Sequence, residues 1–172
     1  MSLSIAIQMD KVESLQIAGD TTFALGLEAQ KRGHNLWYYT PNLLSLNEGI
    51  VCARGQELTF YDQAGAHFET GVTKVEALQN FDIILMRQDP PFDMAYITSL
   101  HLLELLGKKV RVVNDPIGIR NAPEKILMLK FPKIIPANFH QFSDFRTKIS
   151  ANSSKFVFSK QPRTPKSEPM AR

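Results

Sequence analysis

Arg87, Asp89 and Asp93 fall within seven residues, Arg87-Gln88-Asp89-Pro90-Pro91-Phe92-Asp93, directly behind the apolar run 81–86 (FDIILM). An arginine presents a planar fork of N–H donors that matches a carboxylate. Two consecutive prolines stop a strand and stiffen the loop that carries the fork. The chemistry this suggests is capture of an amino-acid carboxylate, which is binding and does not define a reaction. Polar residues also follow two other apolar runs, as Met9-Asp10 and as Asn114-Asp115-Pro116. Asp20-Thr21-Thr22 offers helix caps, and a helix N-terminus attracts anions. Each feature also has a plainer role: Arg87 neutralising Asp89 or Asp93 at the surface, Asp20 acting only as a cap.

Other chemistries find little support. His34, His67, His101 and His140 are far apart and lack metal-ligand spacing, so no metal site is expected. Cys52 is the single cysteine, which excludes an internal disulfide and fits a small apolar role in a reducing compartment. No dinucleotide fingerprint, Walker A loop or nucleophile elbow occurs. The sequence pI is about 9.0. From Lys155 onward there are five basic residues and one acid, a net of +4 against +3 for the whole chain, so residues 1–154 carry a net −1. That tail-bound basicity argues against a nucleic-acid partner. The apolar runs are too short for a membrane span, and residues 1–10 hold no signal-peptide pattern, so a cytoplasmic location is expected.

The elements that must position these residues follow an α/β rhythm. Leu3, Ile5, Ile7 and Met9 alternate as in a strand. Phe23, Ala24, Leu27 and Lys31 follow the Asp20 cap at helical spacing, with Gly33 as the stop. Residues 34–40 form a second strand. Turns are expected at Asn47-Glu48-Gly49, Arg54-Gly55 and Ala64-Gly65-Ala66, between short strands of hairpin type. The α/β pattern then resumes with a buried strand at 81–86, a helix at 96–106 ended by Gly107, and a strand at 109–113. Buried runs separated by helices predict a mostly parallel, three-layer sheet. Further helices are expected at 123–129 and around Phe142, Phe145 and Ile149, whose apolar stripe reads as core. Residues 161–172, with three prolines and few apolar residues, read as disordered.

Residues 85–93 (LMRQDPPFD) resemble the signature strand and loop of prokaryotic glutathione synthetases, members of the ATP-grasp superfamily. Three more segments agree in the family's order. Residues 7–10 (IQMD) resemble its first strand, 20–24 (DTTFA) through 27–34 (LEAQKRGH) its first helix, and 113–116 (VNDP) through 120–125 (RNAPEK) the start of its ATP-grasp part. Together the matches cover roughly residues 3–150, and Gln88 departs from a lysine common in the family.

The resemblance implies a Rossmann-like substrate domain (the pre-ATP-grasp type) over residues 1–122, the beginning of an ATP-grasp domain over 123–151, and a disordered tail unrelated to the family over 152–172. It implies an ATP-dependent ligase that joins glycine to γ-glutamylcysteine through an acyl phosphate, with magnesium bridging the nucleotide phosphates, and an intact enzyme that is a homo-oligomer. By position, Lys125 matches a nucleotide-contacting lysine, against the plainer role of a solvated helix lysine. Asp20, Thr21, Arg87, Asp89 and Asp93 fall on the γ-glutamylcysteine side. Val157-Phe158-Ser159-Lys160 only faintly resembles the family's next ATP strand, and no glycine follows Gly118. A phosphate-covering loop and the magnesium ligands are therefore expected to be missing, the chain to be cut short near residue 152, and ligase activity to be absent from these residues alone. Two other readings stand beside this one: a different ATP-grasp carboxylate–amine ligase, and a non-catalytic α/β module for binding or oligomerisation.

Overall fold

Ile5 and Ile7 build one face of β1 (Ser4–Gln8), continued by Met9 just past its end, and the residues between them, Ala6 and Gln8, are just as buried. Both phases of the alternation are hidden because the strand is covered on both faces. A computed structural model describes residues 1–122 together with 127, 130, 131 and 133, and Met1–Pro123 form one compact unit. β1 pairs in parallel with β2 (Asn35–Tyr39) on one side and with β7 (Ile83–Met86) on the other, and β7 pairs in parallel with β8 (Arg111–Val113).

Two helices complete the layers. α1 (Thr21–Lys31) joins β1 to β2, and α2 (Met94–Glu104) joins β7 to β8. Phe23 of α1 packs on Ile5, Ile7, Leu36, Leu58 and Phe60. Tyr96, Leu100 and Leu103 of α2 pack on the opposite face, against Ala6, Trp37, Tyr39, Ile84 and Met86. The Phe23 and Phe60 rings meet edge to face with centroids 5.1 Å apart, a pairing that adds about 0.5–1.5 kcal/mol beyond area burial. α1 passes close to the sheet at Gly26, where a Cβ would collide with the Phe60 ring.

The remaining strands are antiparallel, in the stretch where hairpins were expected, so the eight-stranded sheet is mixed. β3 (Leu44–Asn47) and the long β4 (Ile50–Phe60) are joined by Glu48-Gly49, both at positive φ (50° and 80°), as a two-residue hairpin loop requires. β4 holds β2 and then β3 along one edge, and β5 (Phe68–Thr70) and then β6 (Lys74–Ala77) along the other.

Two local expectations need correction. Arg54-Gly55 is not a turn, because β4 runs straight through it. Gly55 is needed there because a Cβ would stand 2.3 Å from the Tyr38 carbonyl oxygen and 2.5 Å from Trp37 Cζ2. A strand glycine thus marks a close approach. A short helix, α3 (Pro116–Asn121), also follows β8; Asp115 caps it through the Gly118 amide at 2.8 Å, and proline occupies its first turn. α2 begins at Met94 and not at Tyr96, since Asp93 caps it. The helices expected beyond residue 122 and the tail lie outside the described residues. No helix among the described residues is long and apolar enough to cross a membrane.

Candidate functional site

In a parallel sheet the carboxyl ends of the strands share one edge, and ligands of open α/β folds sit beyond it. Here β1, β7 and β8 end there, and α1, α2 and α3 begin close behind them. Each helix is capped by an aspartate: Asp20, Asp93 and Asp115. The same edge therefore collects three helix N-termini and the side chains that follow three strands.

Arg87 stands at the end of β7. Its backbone N–H donates to the Gln8 carbonyl at 2.7 Å. Its Nε donates to Thr22 Oγ1 at 3.1 Å and its Nη2 to Thr21 Oγ1. The guanidinium thus lies along the first turn of α1. It makes no ion pair with Asp89 or Asp93, and Nη1 makes no hydrogen bond among the described residues. Asp20 Oδ1 accepts from the Thr22 and Phe23 amides at 2.7 and 3.2 Å, which fixes the turn that Arg87 rests on.

Asp89 follows Arg87 by two residues, and its backbone N–H donates to Asp10 Oδ2 at 3.0 Å. Partial burial, then the charges of Asp10 and Asp20, push the Asp89 carboxyl up from its ordinary 3.8, while Arg87 pulls the other way. A cluster of three carboxylates and one guanidinium results. Its negative charge suits an ammonium group, and the open side of the arginine suits a carboxylate. Asp20, Thr21, Arg87 and Asp89 are brought together. Asp93 is not brought to Arg87: its carboxylate caps α2 through the Tyr96 amide at 2.9 Å. Lys125 lies outside the described residues.

A layer of polar groups lies below this edge. Gln8 is fully buried at the end of β1, and its Nε2 donates to Gln88 Oε1 at 2.8 Å. Ser99 of α2, also buried, lies 3.4 Å from Gln8 Nε2 and 3.2 Å from Gln88 Oε1. Neither Gln8 nor Ser99 stood out in the sequence. The available signal was a glutamine directly after the apolar run Ile5-Ala6-Ile7, in the alternation phase that a two-sided sheet also buries.

A cleft of about 640 Å³ lies at the opposite edge, lined by Ser4, His34, Asn35, Trp37, Glu57 and Phe81 among others. Its size favours it, but its charges are Glu76 and the exposed Lys74–Glu57 pair at 3.1 Å. The converging charges and helix termini favour the carboxyl edge as the candidate site.

The family described as the N-terminal domain of prokaryotic glutathione synthetase matches residues 3–120. The glutathione synthetase of Bradyrhizobium diazoefficiens is 54% identical over 136 residues, which are 79% of this chain and 43% of that protein. The glutathione synthetase of Brucella melitensis is 52% identical over 136 residues, 79% of this chain and 44% of that protein. That of Xanthomonas campestris is 39% identical over 137 residues, again 79% and 43%. The chain therefore spans less than half the length of these curated relatives.

Proposed function

Because the chain belongs to the prokaryotic glutathione synthetase family, we propose that it serves the ATP-dependent joining of glycine to γ-glutamylcysteine, with residues 1–122 as the domain that holds the peptide. In the family's chemistry the γ-phosphoryl group of ATP passes to the cysteinyl carboxylate, giving ADP and an acyl phosphate. The glycine amine then attacks the acyl carbon, the amide bond forms and phosphate leaves. Nucleotide and magnesium belong to the ATP-grasp part. Residues 123–151 would begin that part and Lys125 would meet the nucleotide, while residues 152–172 would be a tail outside it. Among the described residues no cluster of His, Cys, Asp or Glu is arranged to hold a metal ion, so their role is derived for the peptide alone. A cytoplasmic setting goes with this reading.

The observation that carries the proposal is the Arg87 guanidinium docked on Thr21 and Thr22, beside the Asp10, Asp20 and Asp89 carboxylates. A γ-linked glutamyl residue keeps both its α-carboxylate and its α-ammonium free. The carboxylate suits the open side of Arg87, and the ammonium suits the acids. An α-linked glutamyl residue has lost that pairing. Titration calorimetry with the purified chain tests this. γ-Glutamylcysteine is expected to bind and the α-linked isomer to bind at least about tenfold more weakly, the difference one good charged contact makes. Arg87→Lys is expected to weaken the γ-linked peptide by a similar factor, since lysine lacks the fork. Equal binding of the two isomers, or no heat with either, would count against the proposal.

A further inference from the structure

We infer that Gln8 is a positioning residue: from beneath the sheet edge its amide grips Gln88 and so sets Arg87 and Asp89 for the amino-acid end of the peptide. The inference rests on the function proposed above and adds a residue that never touches the ligand.

Three observations carry it. The first is the cost of the side chain. Gln8 is 0% exposed, and among the described residues its Oε1 has no hydrogen-bond partner. A buried, unpartnered amide oxygen opposes folding. Leucines at both 8 and 88 would fill similar space without that penalty, so stability does not explain the glutamine pair.

The second is where the amide reaches. Gln8 Nε2 donates to Gln88 Oε1 at 2.8 Å, and Ser99 Oγ lies within 3.2 Å of the same acceptor. Gln88 sits between Arg87 and Asp89. Along extended backbone successive side chains point to opposite faces. Arg87 reaches the α1 face, at Thr21 and Thr22, while Gln88 reaches the α2 face, at Ser99. Holding Gln88 down therefore fixes the phase in which Arg87 points toward α1. A slip of one residue would turn the guanidinium away.

The third is that the attachment has two points. The Gln8 carbonyl accepts from the Arg87 backbone N–H at 2.7 Å, while its side chain holds the next residue. One residue of the central strand thus grips two consecutive residues of the loop.

The experiment compares Gln8→Leu, Gln88→Leu and the double variant of the whole chain by three measurements. These are denaturant stability, hydrogen exchange by NMR at the Asp89 amide and at Arg87 Nε–H, and affinity for γ-glutamylcysteine. In Gln8→Leu, exchange at both N–H groups is expected to rise about tenfold and affinity to fall about tenfold, the worth of one hydrogen bond. In the double variant stability is expected to return to the wild-type value or above it, while exchange and affinity stay impaired. A purely structural role would move the three together. If Gln8→Leu does not fold, Gln88→Leu alone is read in the same way. A folded variant with wild-type exchange at Asp89 and Arg87 overturns the inference. Wild-type protein that fails to bind the peptide overturns the proposed function, and the exchange measurements still decide the role of Gln8.

Discussion

Asp89 is a side chain of the cluster whose ionisation the fold shifts. Its carboxyl is raised above 3.8 by partial burial first, then by Asp10 and Asp20, with Arg87 opposing. A raised carboxyl is stabilised by folding in its protonated form. Its contribution to stability therefore improves as pH falls through the interval above 3.8 and worsens as pH rises through it. Binding has the opposite sign, because an ammonium group favours the ionised acid. The affinity for γ-glutamylcysteine is expected to fall as pH drops from neutral into that interval, and Asp89→Asn to flatten the profile; calorimetry across pH checks both. At this scale the sequence marked Asp20, Thr21, Arg87 and Asp89 through their places after strands and at a helix start, and the fold brings these four together. It did not separate Asp93, since a helix cap and a ligand-binding carboxylate look the same before the helix boundary is known. Gln8 was hidden for another reason: whether a strand's second face is buried depends on which helix covers it.

Among the elements, those set by short-range rules were read most closely. The Asp20 cap and Gly33 (φ 79°) bound α1, and Glu48-Gly49 closes its hairpin, because such signals act within a few residues. Gly55 was misread because its partner, Trp37, is distant in sequence, and a strand glycine looks like a turn until that partner is placed. α3 has six residues, too few to show a helical period. Gly26 gives a test at this scale. Alanine gains up to about 1 kcal/mol of helix propensity over glycine. Its Cβ would strike the Phe60 ring, which is only 2% exposed and has little room to move. Overpacking of this kind costs about 1–3 kcal/mol. Gly26→Ala is therefore expected to lower the denaturation midpoint, and adding Phe60→Leu to recover part of the loss.

Across the described unit, order should fall away from β1. That strand has partners on both edges and a helix on each face, whereas β3, β5, β6 and β8 are the outer strands among the described residues. Hydrogen exchange is expected to be slowest at residues 5–7 and 84, and fastest at 74–77 and 111–113. The Arg120 guanidinium, bonded to Glu104 and lying 2.9 Å from His101 Nδ1, ties α3 to α2 and keeps the segment after β8 against the body. The parallel course of β1, β7 and β8 also has a mechanical side. Chain enters β1 at one edge of the sheet and leaves β8 at the other, with β7 between them. Tension applied between residues 3 and 114 runs along the strands, so the ladders between them are loaded in shear and must give way together. Tension between residues 61 and 68, the adjoining ends of the antiparallel β4 and β5, opens bonds one at a time. Single-molecule pulling should find the first geometry markedly stronger, which makes the edge that gathers the charged cluster the anchored end of a tensile element.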